Sequence, residues 1–139
     1  MMAARSKARK RAFEVLFEAE QRGVSTGDVL GRRNRPEAEE LAEYGHAMRL
    51  IEGVEAHRER IDELIATYAV GWTLDRMPAV DRTILRLGLY ELLWVDDVPD
   101  AVAISEAVAL ATDFSTEESP RFVNGLLSRL QQLKPSLAL

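Results

Sequence analysis

Apolar residues recur at three- and four-residue intervals along nearly the whole chain, and no stretch alternates apolar with polar positions for long enough to make a half-buried strand. The pattern predicts an all-α fold. Ala8, Ala12, Val15, Leu16 and Ala19 form the stripe of a first helix, widened by Phe13 and Phe17 and ending before Gly23. Ser25, with Asp28 three residues on, has capping-box character and starts a short second helix that stops near Gly31. Gly31 to Pro36 reads as a polar loop in which Arg32, Arg33 and Arg35 are solvated. Leu41, Tyr44, Met48 and Ile51 mark a third helix, and Ile61, Leu64, Ile65 and Tyr68 a fourth, with a weak break near His57.

Gly71 to Met77 reads as a connection, after which Pro78 suits the first turn of a fifth helix, where its missing N–H has no intrahelical partner. Ile84, Leu85, Gly88, Leu89, Leu92 and Val95 cover almost half the circumference of that helix, as expected of an element packed on several sides. Glu91 falls on this apolar face, and a carboxylate there needs hydrogen-bond partners. Asp96 to Pro99 breaks the helix. Ala103, Ala107, Leu110, Ala111 and Phe114 line a sixth, and Ser119-Pro120 opens a seventh carried by Phe122, Leu126, Leu130 and Leu133. Asn124-Gly125 interrupts that last pattern, which calls for close helix packing or an approaching ligand backbone. The sum is one domain, residues 1–139, built as a compact bundle of about seven helices in two small subdomains. A basic arm covers 1–11, an N-terminal bundle runs to about 57–70, and a C-terminal bundle runs on to 139.

Charge sharpens the picture. Arg5, Lys7, Arg9, Lys10 and Arg11 fall within the first eleven residues without an acid, leaving 13 cations against 23 acids elsewhere on a chain of net charge −5. A basic arm on an acidic body either grips phosphates or is a frayed, solvated terminus. Arg5 and Arg9 lie one helical turn apart while Lys7, Lys10 and Arg11 point elsewhere, so a regular helix presents positive charge all round. Arg82 and Arg86 make a second positive edge, open to phosphate or to pairing with neighbouring carboxylates.

Other chemistries find little support. The chain has no cysteine, and His46 and His57 stand eleven apart without a metal-binding motif, so neither metal nor cofactor is expected. Gly23-Val24-Ser25-Thr26-Gly27 has the G-x-S-x-G spacing of serine hydrolases, but an amphipathic helix precedes it where that motif needs a strand. No glycine-rich phosphate loop occurs and no acid/base pair stands out, so no catalytic residue is nominated. The first residues lack an apolar leader core, and a cytoplasmic location is expected.

Several ordered segments resemble the NusB family of transcription antitermination factors: Lys7-Ala8-Arg9 through Phe17, then Pro78-Ala79-Val80-Asp81-Arg82 with Ile84-Leu85-Arg86, Leu89-Tyr90-Glu91-Leu92, Asp97-Val98-Pro99, Val102-Ala103-Ile104 with Glu106-Ala107, and Ser119 to Leu127. The resemblance covers nearly the whole chain. It implies a non-enzymatic factor that pairs with ribosomal protein NusE and binds single-stranded boxA RNA of ribosomal RNA transcripts within the transcribing RNA polymerase complex. By position it puts Arg5, Lys7, Arg9, Tyr68, Arg82, Arg86, Glu118 and Phe122 on the RNA surface, with Phe17 and Asp81 near the NusE side. Phe17 and the acidic edge around Asp75 and Asp81 suit a basic ribosomal protein. Phe17 stands where tyrosine is common, Ser6 where another arginine can occur, and the Trp72 to Met77 connection departs from many members. Phe122 and Phe17 remain open between exposed contact and core, and a homodimer remains open beside a monomer. A domain of this kind also begins certain ribosomal RNA cytosine methyltransferases, but no cofactor-binding strand-helix pattern follows up to Leu139. A helical adaptor that binds only protein is the third reading, and it predicts no RNA affinity.

Overall fold

The computed structural model describes residues 4–33 and 36–139, so Arg35 and the first three residues of the basic arm lie outside the described residues. Six α-helices form the fold of the described residues: α1 (Ala4–Arg22), α2 (Thr26–Gly31), α3 (Leu41–Tyr68), α4 (Ala79–Trp94), α5 (Asp100–Phe114) and α6 (Ser119–Leu133). Single 3-10 turns precede α3 and follow α6, and no strand occurs among the described residues. Ser25 caps α2, its Oγ accepting from the Asp28 N–H at 3.0 Å. Asp96 to Pro99 separates α4 from α5. Glu118, one residue earlier than the sequence indicates, holds the N-cap position of α6 without a side-chain capping bond.

The third and fourth helices of the sequence reading are one. α3 runs 28 residues without interruption, about 42 Å at 1.5 Å per residue. The apparent break came from Glu55 to Arg60, which offers no aliphatic residue larger than Ala56, itself exposed, for the stripe between Val54 and Ile61. His57 fills that position as an aromatic ring. It stacks on Trp94 at 4.4 Å and on Tyr90 at 5.8 Å, so helix and core both continue through it.

α4 is the hub, touching α1, α3, α5 and α6. Twelve of its residues are buried, matching its nearly all-round apolar sequence. Two glycines let helices approach it closely. A Cβ on Gly53 would sit 1.9 Å from the Tyr90 ring, and one on Gly88 would meet Leu127 and Ala107 at 3.0 and 3.1 Å. Gly125 differs from the packing reading given to it: nothing lies within 4 Å of its Cβ position, and it faces outward. One apolar cluster joins residues from α1 to α6. Residue 57 therefore falls inside a helix and residue 70 in the connection after it.

Candidate nucleic-acid interface

α1 sorts its cations by direction. Arg9 points inward and is 4% exposed, which corrects the expectation of charge all round the helix. It occupies the same stripe as Ala12, Phe13 and Leu16, and its guanidinium donates to both oxygens of Glu91, at 2.7 and 3.0 Å, and to Glu106 at 3.1 Å. His46 Nε2 approaches Glu91 at 3.4 Å. Glu91 is 1% exposed. Burial pushes its carboxyl up, but the hydrogen bonds from His46 and Arg9 prevail and hold it below the ordinary glutamate value. The buried carboxylate read from the sequence is thus an ion-paired one, anchoring α1 to α3, α4 and α5.

The other arginines of the arm are also engaged, but at the surface. Arg5 donates to Asp97 at 2.9 Å and Arg49 to the same carboxylate at 3.1 Å, and these two guanidiniums hold Asp97 well below the usual carboxylate range. Arg11 reaches Glu40 and Glu43 at 3.1 and 3.4 Å. Lys7 and Lys10 are left exposed with no ion pair among the described residues. Lys10 lies over the Phe114 ring at 5.8 Å. Both lysines line a groove of about 450 Å³ with Arg11, Glu14, Arg33 and Glu43, so Arg33 packs against α1 instead of standing free in its loop.

Arg82 and Arg86 are ion-paired, as their alternative reading had it, with carboxylates on neighbouring helices. Glu20 of α1 accepts from both, and Asp62 of α3 takes two bonds from Arg86 at 2.8 and 3.1 Å. Arg82 also donates to the carbonyls of Leu74 and Met77, at 2.7 and 3.0 Å, tying down the connection before α4. Their charge is largely spent inside the fold.

That connection forms one wall of a cleft of about 480 Å³, lined by Trp72, Met77, Pro78, Asp81, Thr116, Glu117, Glu118, Ser119 and Phe122. Phe122 is half-buried, between the two readings given to it, with its ring 6.5 Å from that of Trp72. Tyr68 is half-buried beneath the Arg129 guanidinium, 5.6 Å from its ring. Asp81 does not form an exposed acidic edge. It is 4% exposed and accepts from Ser115 at 2.5 Å and Ser119 at 2.9 Å. Asp75 is exposed, its carboxyl lowered by a hydrogen bond from Thr73. Phe17 is half-buried and stacks on Phe13 at 5.8 Å.

Sequence reasoning missed Trp72, Glu20, Asp62 and Glu106. The three acids looked like ordinary solvated charge on helix faces, and Trp72 sits in a connection with no periodicity to place it. Among the described residues no group of histidines, cysteines and carboxylates is arranged to hold a metal ion, and no helix is long and apolar enough to cross a membrane.

Fold and surface together define a class: an all-helical bundle around one central helix, carrying a lysine-lined groove and an aromatic cleft. The chain belongs to the NusB family, which it matches over residues 6–132. It is 60% identical to the transcription antitermination protein NusB of Streptomyces avermitilis over 98% of this chain and 96% of that protein. It is likewise 60% identical to that of Thermobifida fusca, over 97% and 94%. Among solved structures, T. maritima NusB superposes with a TM-score of 0.82 at 34% identity, covering 99% of this chain and 100% of that one. A chain from the crystal structure of antitermination factors NusB and NusE in complex with dsRNA gives 0.80 at 30%, covering 95% and 98%.

Proposed function

We propose that this chain is a non-catalytic, cytoplasmic transcription antitermination factor that binds boxA-type single-stranded RNA of ribosomal RNA transcripts together with NusE, within the transcribing polymerase complex. Its antitermination relatives and the NusB–NusE–RNA structure support the reading. The observation that carries it in this chain is the pair Lys7 and Lys10, two unpaired ammonium groups beside a groove on a helix whose arginines are otherwise engaged. Phosphates supply most sequence-independent affinity for nucleic acid, and unpaired cations bind them without first breaking an ion pair. Arg5, exposed in its pair with Asp97, extends this surface by exchanging one anion for another. Arg9, Arg82 and Arg86 serve RNA binding by fixing α1 and the cleft wall. Tyr68, Glu118 and Phe122 supply contacts to bases. Phe17 and Asp75 are the accessible docking groups for NusE, while Asp81 acts from inside by holding Ser115 and Ser119.

Fluorescence anisotropy of labelled boxA RNA across a salt series tests the central part. Each phosphate neutralised on a single strand contributes a slope of about −0.7 in log affinity against log salt. The Lys7→Ala, Lys10→Ala double variant should therefore flatten the slope by about 1.4 with an unchanged melting temperature. An unchanged slope contradicts the assignment. Light scattering of the free chain separates a monomer from a homodimer.

A further inference from the structure

We infer that Asp97 is an internal anion that competes with RNA phosphate for Arg5 and Arg49, and that Arg49, on α3 and outside the basic arm, is a further phosphate contact. The inference rests on the RNA-binding reading above and deepens it. Three elements meet here: the first turn of α1 brings Arg5, α3 brings Arg49, and the break between α4 and α5 brings Asp97. Arg49 clasps the carboxylate as a fork, Nη2 donating to Oδ1 at 3.1 Å and Nη1 to Oδ2 at 3.4 Å. Arg5 Nη2 donates to Oδ2 at 2.9 Å. A phosphodiester presents two acceptor oxygens to the same fork, so it can take the place of the carboxylate while both guanidiniums stay where they are.

The cluster is placed to exchange its anion and not to hold the fold. About half of each side chain is exposed: 46% for Arg5, 45% for Arg49 and 50% for Asp97. Ion pairs this open contribute little to stability. α1 is anchored one turn further on instead, where Arg9 is buried against Glu91. Local charge keeps the site closed to weakly bound anions. Asp96, exposed and without an ion pair among the described residues, brings the four groups to neutrality. The patch therefore turns cationic only when the Asp97 charge is displaced or removed. Hydrogen bonds from Arg5 and Arg49 keep the Asp97 carboxyl ionised throughout the neutral range. The competitor is thus always present, and salt is the variable that exposes it.

Anisotropy of labelled boxA RNA near neutral pH, repeated across a salt series, tests this. Asp97→Asn keeps the size of the side chain and removes its charge. It should tighten binding several-fold at low salt and steepen the salt slope by up to about 1.4, from two freed cations at about 0.7 each. Unfolding cannot produce such a gain. Arg49→Ala placed in the Asp97→Asn background should give back about 0.7 of that slope. Glu59→Gln makes the same charge change at an exposed site elsewhere on α3 and should leave affinity and slope unaltered. No gain from Asp97→Asn, or an equal gain from Glu59→Gln, overturns the competition while RNA binding by the chain stands. A gain that survives Arg49→Ala in full overturns Arg49 as a contact. If Asp97→Asn tightens binding of labelled polyglutamate as much as that of RNA, the cluster takes any anion and the phosphate assignment is overturned. If neither the wild type nor any variant binds boxA RNA, the RNA-binding reading falls as well.

Discussion

Arg9 shows how one side chain can be read for its charge and matter for its position. Within a run of five cations it looks solvated, yet it repeats at the spacing of Ala12, Phe13 and Leu16, and that stripe carries it into the core. The periodicity was therefore a usable signal, masked by charge. Glu91 was legible because its own helix is apolar all round, but its partners Arg9 and His46 sit on two other helices and no local pattern joins them. Replacing one member of a buried pair leaves the other charge uncompensated. Glu91→Ala should cost about 3 kcal/mol, the lower end for such sites because Glu106 still engages Arg9. Urea denaturation followed by circular dichroism checks it, and a loss under about 1 kcal/mol would contradict the assigned pairing. Because the folded Glu91 carboxyl lies below its ordinary value of 4.5, its stabilisation is complete above that value and is lost as pH falls through the lower folded value. Wild-type stability should thus drop below about pH 4.5 more steeply than that of Glu91→Gln, which cannot titrate there. Parallel acid profiles for the two would remove Glu91 as the cause.

Helices α1, α2, α4, α5 and α6 were all legible from their stripes and breakers, because Gly23, Ser25, Pro99 and Pro120 act locally. The length of α3 was not. Its continuity depends on His57 stacking against Trp94 of another helix, a tertiary contact without a local signature. Two glycines on different helices give opposite predictions. Gly53→Ala drives a methyl group into the Tyr90 ring, which His57 and Trp94 hold in place, and should destabilise by about 1–3 kcal/mol as an overpacked site. Gly125→Ala meets open space at a helical φ and should stabilise by about 0.5–1 kcal/mol through helix propensity. Thermal melts of the two variants should therefore shift in opposite directions. A drop for Gly125→Ala would mean that its conformation, and not only its space, is restricted.

Across the whole molecule, charge is arranged so that most arginines are consumed by the fold and a few cations are left for a partner. From composition, the arm looked like a uniform +5 patch. In the structure only Lys7 and Lys10 of that group stand unpaired among the described residues, and Arg76, Arg121 and Arg129 flank the aromatic cleft instead. The redistribution could not be read from sequence, because Glu20, Asp62, Asp97 and Glu106 meet the arginines only after packing. So small an unpaired surface argues that tight RNA binding needs a second protein to supply further contacts. If NusE tightens RNA binding, RNA must tighten the protein pair by the same factor. The most direct test titrates labelled boxA RNA with this chain, with NusE, and with an equimolar mixture at one salt concentration. The mixture should bind at least tenfold more tightly than either protein alone. Equal affinity for the chain and the mixture, or no binding by the mixture, would contradict joint RNA recognition.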